Sequence, residues 1–234
     1  MAREIEIAER LDWEDFLDRF RWKQGEHVSL IGPTGSGKTT LGIELLPRRR
    51  YVVVVGTKPE DETLSKLRSR GFKVFREWPE HVATDVTPRI ILWPTFTRPS
   101  DAKRQQRKIA HALQEIFAQR NWTVFVDEAF YLSRTLRLEP LLSMLWTQGR
   151  SIGISLVAGT QRPAHVPLHM YDQATHLFLW RDNDRVNLDR LGEISSGAID
   201  KESLRELVST LPKHSALYVN TRTGEIIETR VDLG

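Results

Sequence analysis

The run Gly32-Pro33-Thr34-Gly35-Ser36-Gly37-Lys38-Thr39 constrains this chain more than any other segment. It meets the pattern G-x-x-x-x-G-K-[ST] at every fixed position. Its flanks suit it. The apolar stretch 27–31 predicts a strand entering the loop, and 39–46 predicts a helix leaving it. Gly32, Gly35 and Gly37 let the backbone turn tightly and aim successive N–H groups inward as an anion nest. The helix N-terminus adds the positive end of its dipole. The segment therefore reads as a cradle for nucleotide phosphates, lined by Gly32, Pro33, Thr34, Gly35, Ser36, Gly37, Lys38, Thr39 and Thr40. In such a loop the lysine, here Lys38, reaches the β- and γ-phosphates of ATP, and the hydroxyl that follows, here Thr39, ligates Mg²⁺.

A chain of 234 residues fits one α/β domain, with two small ones as the other arrangement. Hydrophobic residues at 40% and charged residues at 28% support a sizeable core. The absence of cysteine excludes a disulfide framework and a thiolate metal site, and suits a cytosolic setting. No apolar run approaches the roughly 20 residues that span a membrane. Residues 1–10 are charged and lack the apolar core of a signal peptide. The expected location is the cytoplasm, which is the host's if the chain is viral. Net charge is only +3, but basic residues cluster at 48–50, 66–73 and 103–108, where a solvated surface is the plain reading.

Periodicity predicts an amphipathic helix over 10–22, with Trp13, Phe16, Leu17 and Phe20 on one face, packed on the core edge or on a neighbouring subunit. Short apolar strands are predicted at 27–31, 51–55, 72–75, 89–93, 123–126, 154–158 and 176–180. Helices are predicted at 60–70, 101–119, 139–148, 184–191 and 201–211, and a hairpin at 216–231 turns at Thr223-Gly224. Alternating strands and helices give an α/β fold, a mostly parallel sheet covered by helices on both faces, with a C-terminal β-hairpin. The expected division is an N-terminal amphipathic helix over 1–24 and an ATPase domain over 25–234.

Three further elements carry chemistry. The strand 123–126 ends in Asp127-Glu128. With a phosphate loop about ninety residues earlier, Asp127 is read as the Mg²⁺ carboxylate and Glu128 as the group that polarises the attacking water. Glu128 also argues against a small-molecule kinase, whose acceptor is its substrate. The strand 154–158 runs into Gly159-Thr160-Gln161-Arg162-Pro163, where the Gln161 amide can hydrogen-bond both the γ-phosphate and the lytic water. Alone it would be a polar turn closed by Pro163. Arg150, in Gln148-Gly149-Arg150-Ser151, either satisfies the last carbonyls of its helix or projects into a neighbour's ATP site as a finger.

In this order the motifs resemble those of the FtsK–HerA superfamily of ring-forming DNA pumps. The resemblance spans roughly residues 25–165. It implies a P-loop NTPase with a RecA/ASCE-like core, a glutamine sensor at Gln161 and an arginine acting in trans at Arg150. It further implies ATP hydrolysis coupled to movement of double-stranded DNA, a homo-oligomeric ring of five or six subunits, and a portal or other docking protein. The short chain, with no membrane span and no recognisable nuclease domain, is most similar to viral packaging ATPases. In these pumps the loop holding Lys58 can face the pore, though an exposed turn lysine explains Lys58 equally well. Arg98, Lys103, Arg104, Arg107 and Lys108 form a second basic group for DNA phosphates. Two other readings stay open. One is a P-loop ATPase serving phage assembly, secretion or conjugative transfer without packaging. The other is a small nucleotide or metabolite kinase.

Overall fold

A computed structural model describes residues 9–79, 87–191 and 199–230. Its strands are β1 (Glu9–Asp12), β2 (His27–Ile31), β3 (Val52–Val55), β4 (Lys73–Phe75), β5 (Arg89–Leu92), β6 (Thr123–Val126), β7 (Ser155–Thr160), β8 (Ala174–Trp180), β9 (Ser215–Asn220) and β10 (Ile226–Arg230). They form one ten-stranded sheet in the order β1-β10-β9-β8-β2-β7-β6-β3-β5-β4. From β8 to β4 every neighbouring pair is parallel. β9 and β10 form the expected antiparallel hairpin, with β9 also antiparallel to β8.

The helices are α1 (Trp13–Arg19), α2 (Lys38–Leu45), α3 (Glu62–Leu67), α4 (Ala102–Gln119), α5 (Glu139–Gln148), α6 (His169–Asp172), α7 (Arg185–Leu191) and α8 (Lys201–Thr210). Strand side chains alternate between faces, so each central strand feeds two cores. In β3, Val52 and Val54 join Leu41 and Leu45 of α2, Leu64 of α3 and Phe16 of α1. Val53 and Val55 join Ile109 and Leu113 of α4, Leu145 of α5 and Val208 of α8. This is why β3 reads as four consecutive valines: both of its faces are covered.

The N-terminal segment differs from its expected form. Residues 9–12 are a strand, paired in parallel with β10, and the helix begins only at Trp13, where the Asp12 side chain accepts from the Asp15 N–H at 2.8 Å. The aromatic face meets the chain's own sheet: the Phe16 ring lies 5.0 Å from that of Tyr218 and 5.7 Å from that of Phe178. The basic run 48–50 contributes to that docking. Arg49 stacks 3.9 Å over the Trp22 ring and donates to the Trp22 carbonyl, and Arg48 donates to the Leu17 carbonyl. Residues 1–8 and residue 231 of the predicted hairpin lie outside the described residues.

At the amino ends of the central strands two histidines are buried. The Leu156 N–H donates to His27 Nδ1 at 3.0 Å, so the ring proton sits on Nε2, which donates to the Trp146 carbonyl at 3.0 Å. Burial pushes the pKa of His27 down to about 4, and that of His176 to about 4 as well. In the unfolded chain both would titrate near 6.5. The unfolded state therefore binds more protons between about pH 6.5 and 4, so stability is full above that window and is lost as pH falls through it. His27 alone predicts a loss of about 2 kcal/mol between pH 7 and pH 5, and His176, paired with Glu26, acts in the same direction. Urea unfolding at the two pH values measures it, and equal stabilities would contradict the buried neutral state.

Candidate active site

The phosphate loop joins β2 to α2 at the carboxyl end of the sheet. Gly35 and Gly37 have φ of 74° and 108°, the left-handed region in which a side chain is strained. Gly32 lies against Trp180 at the end of β8, where a Cβ would come within 2.6 Å of the tryptophan Cβ. Lys38 is buried at the start of α2, and its Nζ donates to the Gly32 and Pro33 carbonyls, both at 2.7 Å. Burial lowers its pKa, and the Asp127 and Glu128 carboxylates oppose that shift. The buried Ser36 hydroxyl has no hydrogen-bond partner among the described residues. A buried polar atom of this kind, between the left-handed glycines Gly35 and Gly37, suits an anionic ligand.

β7 lies between the loop strand β2 and the acidic strand β6. Its close approach depends on Gly159, where a Cβ would stand 2.4 Å from the Asp127 carbonyl oxygen. Three parallel strands thus deliver their ends to one place. Thr39 Oγ1 donates to Asp127 Oδ1 at 2.5 Å, joining α2 to the end of β6. Thr34 Oγ1 donates to Gln161 Oε1 at 2.5 Å, joining the loop to the end of β7. Glu128 accepts from the Phe130 N–H and from Thr160 Oγ1, both at 3.2 Å. Burial raises the Glu128 pKa, and neighbouring Asp127 adds to that, while these two donors and Lys38 pull the other way. A five-residue π-turn, Tyr131–Thr135, follows.

The hydroxyl of Thr39 and the carboxylate of Asp127 form a hard-oxygen pair of the kind that holds Mg²⁺ beside substrate phosphates. No larger cluster of His, Asp or Glu able to hold a metal ion occurs among the described residues. The pair therefore fits an ion that completes its shell with phosphate and water.

Lys58 stands elsewhere than on a free turn. Its Nζ is 3.4 Å from Asp127 Oδ2 and 3.6 Å from Asp61 Oδ2. Partial burial lowers its pKa, but the two carboxylates outweigh this and hold it above the ordinary lysine value. Arg150 is exposed in the helical turn Gly149–Ile152, ahead of the amino end of β7, whereas Gln161 follows the carboxyl end. Six strand residues at about 3.3 Å each separate the two by ~20 Å. Arg150 therefore does not reach the phosphate loop of its own chain. Among the described residues its side chain makes no hydrogen bond or ion pair, so it does not cap its own helix. On α4, Lys103 and Arg107 are exposed, while Arg104 pairs with Asp101 and Lys108 with Glu77. The roles of Thr34 and Thr160 and the link from Lys58 to Asp127 were not legible in the sequence, because each joins residues more than thirty positions apart.

Fold and site together define the P-loop NTPase class, a glycine-rich loop leading from a strand to a helix with an acidic strand beside it. No family model matches the chain. It is 26% identical over 237 aligned residues to the sulfate/thiosulfate import ATP-binding protein CysA 2 of Shewanella oneidensis, a match covering 91% of this chain. It spans 64% of that protein's length. Among solved structures it is similar to the genome packaging NTPase B204 from Sulfolobus turreted icosahedral virus 2 in complex with ATP-gammaS. That similarity has a TM-score of 0.64 and 16% identity, and covers 91% of this chain and 100% of that one. VirB4 of Thermoanaerobacter pseudethanolicus gives a TM-score of 0.66 at 11% identity, over 89% of each chain. The bacterial conjugative coupling protein TrwBdeltaN70 gives 0.64 at 12%, over 96% of this chain and 92% of that one. The fold is thus one shared with a genome packaging NTPase and a conjugative coupling protein.

Gly159 offers a direct check on this geometry. Gly159→Ala forces β7 away from Asp127 and is expected to cost about 1–3 kcal/mol, the usual range for overpacking. It should also weaken nucleotide binding, because Gln161 and Asp127 lose their register. Thermal unfolding and fluorescent-nucleotide titration read the two effects, and an unperturbed variant would show that the close approach is unimportant.

Proposed function

We propose that this chain is an ATP-hydrolysing motor that works as a homo-oligomeric ring and moves double-stranded DNA, as in viral genome packaging. The observation that carries the ATPase reading is the convergence of Lys38, Thr39, Asp127, Glu128 and Gln161 at the ends of three adjacent strands. The DNA part of the reading is supported by the fold shared with a genome packaging NTPase, and with a coupling protein of conjugation.

In this reading Lys38 exchanges the Gly32 and Pro33 carbonyls for the β- and γ-phosphate oxygens. Thr39 and Asp127 would hold Mg²⁺, which supplies charge neutralisation across those oxygens. Glu128 takes a proton from the attacking water as its oxygen bonds to the γ-phosphorus. The bond to the β–γ bridging oxygen breaks, ADP departs, and the proton passes from Glu128 to phosphate. Gln161 turns from the Thr34 hydroxyl toward water and γ-phosphate, so the end of β7 reports nucleotide state. Arg150, out of reach of its own loop, stabilises the γ-phosphoryl charge in the neighbour's site. A finger supplied in this way is worth roughly 10³–10⁵ in rate. The kinase alternative is disfavoured by Glu128, which a substrate acceptor would not need.

Two outcomes follow. Lys38→Ala should lose both ATP binding and turnover, whereas Glu128→Gln should bind ATP and lose hydrolysis, as read by nucleotide titration and phosphate release. Wild-type turnover by Glu128→Gln would remove it as the base. Arg150→Ala should bind ATP yet hydrolyse it poorly, and mixing it with Glu128→Gln subunits should restore activity at interfaces that pair an intact Glu128 with an intact Arg150. ATPase rate against mixing ratio is the measurement. A flat line in a mixture shown to co-assemble would exclude action in trans.

A further inference from the structure

Lys58 leaves the sheet beside the acidic strand. It follows β3, and Val55 at the end of β3 pairs with Val126 at the end of β6, so the two segments emerge side by side. Asp127 is divided between two partners: Oδ1 accepts from the Thr39 hydroxyl at 2.5 Å, and Oδ2 lies 3.4 Å from the Lys58 ammonium. The turn that presents Lys58 is held from below. The Trp93 indole N–H donates to the Lys58 carbonyl at 2.7 Å, and Gln105 Nε2 donates to the Thr57 carbonyl at 2.9 Å. Gln105 is fully buried and is itself fixed by the Tyr131 hydroxyl at 2.8 Å. Gly56 lets the strand end pack under Trp93, where a Cβ would meet the ring at 2.8 Å.

A fixed backbone thus delivers a cation to the one carboxylate assigned to the metal ion. The side chain itself is 57% exposed, so it can leave Asp127 without disturbing the core. A second carboxylate, Asp61, waits 3.6 Å from Nζ and caps α3 by accepting from the Leu64 N–H. An ammonium and a divalent cation on the same carboxylate repel one another strongly at such distances. We propose that Lys58 is the protein's own counter-ion for Asp127 and exchanges with the divalent metal ion, so that metal loading drives Lys58 off Asp127. The proposal rests on the nucleotide-site reading above. It makes Lys58 a positioning and gating residue. Metal ion alone competes poorly with the ammonium, and nucleotide phosphates supply the added negative charge that tips the exchange. This role differs from the pore contact expected from its place in the sequence.

Two readouts test this, neither of them turnover. The first is Mn²⁺ binding in the presence of ADP, followed by the electron paramagnetic resonance signal of free Mn²⁺. Lys58→Ala should tighten Mn²⁺ binding several-fold, Lys58→Arg should keep the wild-type value, and Asp127→Asn should abolish it. Unchanged or weaker binding by Lys58→Ala overturns the exchange while leaving the metal site in place. Mn²⁺ binding that survives Asp127→Asn overturns the site reading as well. The second readout uses the unmodified chain. Acylation of Lys58 by an N-hydroxysuccinimide ester, read by mass spectrometry, should rise when Mg²⁺ is added to the ADP-bound protein. Equal or reduced labelling contradicts release.

Discussion

The hydrogen bond from the Thr39 hydroxyl to the Asp127 carboxylate is the contact on which the rest of the site depends. It joins the first turn of α2 to the end of β6, two elements brought together only because β7 inserts between β2 and β6. That insertion needs a residue without a side chain at Gly159. Three strand ends then lie level, carrying the loop, the acid pair and the glutamine. A parallel sheet presents its carboxyl ends on one side, and ligands of doubly wound folds bind there. The chemistry assigned to the site thus follows from strand order more than from any one residue.

Much of this was legible in the sequence alone. The phosphate loop and Asp127-Glu128 are local patterns whose meaning comes from residues a few positions away. The buried strands announced themselves as β-branched runs because helices cover both faces of the sheet. What stayed hidden depends on distant partners. β1 is four residues of mixed polarity, stabilised as a strand by pairing with β10 across more than two hundred positions. Helical periodicity over 10–22 is realised only from Trp13 to Arg19, because Asp12 caps the helix and Phe20, in extended conformation, ends it, and the pattern alone shows neither boundary. Arg48 and Arg49 look like solvated surface in sequence, but they bind backbone carbonyls of the N-terminal segment. Lys58 is the clearest example, since only the pairing of β3 with β6 brings it to Asp127.

The separation of Arg150 from Gln161 along β7 gives the strand a mechanical meaning. One end of a buried, rigid element touches the phosphate loop through Thr34, and the other begins at the exposed turn that holds Arg150. A shift of Gln161 on hydrolysis would be carried along β7 toward whatever Arg150 touches. His27, bonded to both the Trp146 carbonyl of α5 and the Leu156 N–H of β7, ties the two elements that flank the arginine-bearing turn to the start of the loop strand. Both ends of the loop strand are thereby linked to the same neighbour.

The most direct test of the central claim is steady-state ATP hydrolysis by the purified protein, with and without double-stranded DNA, over a range of salt concentrations. The account predicts turnover that DNA stimulates irrespective of sequence. It also predicts that the stimulation declines steeply with salt, because phosphate contacts release counter-ions. Hydrolysis that DNA leaves unchanged at every salt concentration would contradict a DNA motor, and no hydrolysis in either condition would contradict the ATPase assignment itself.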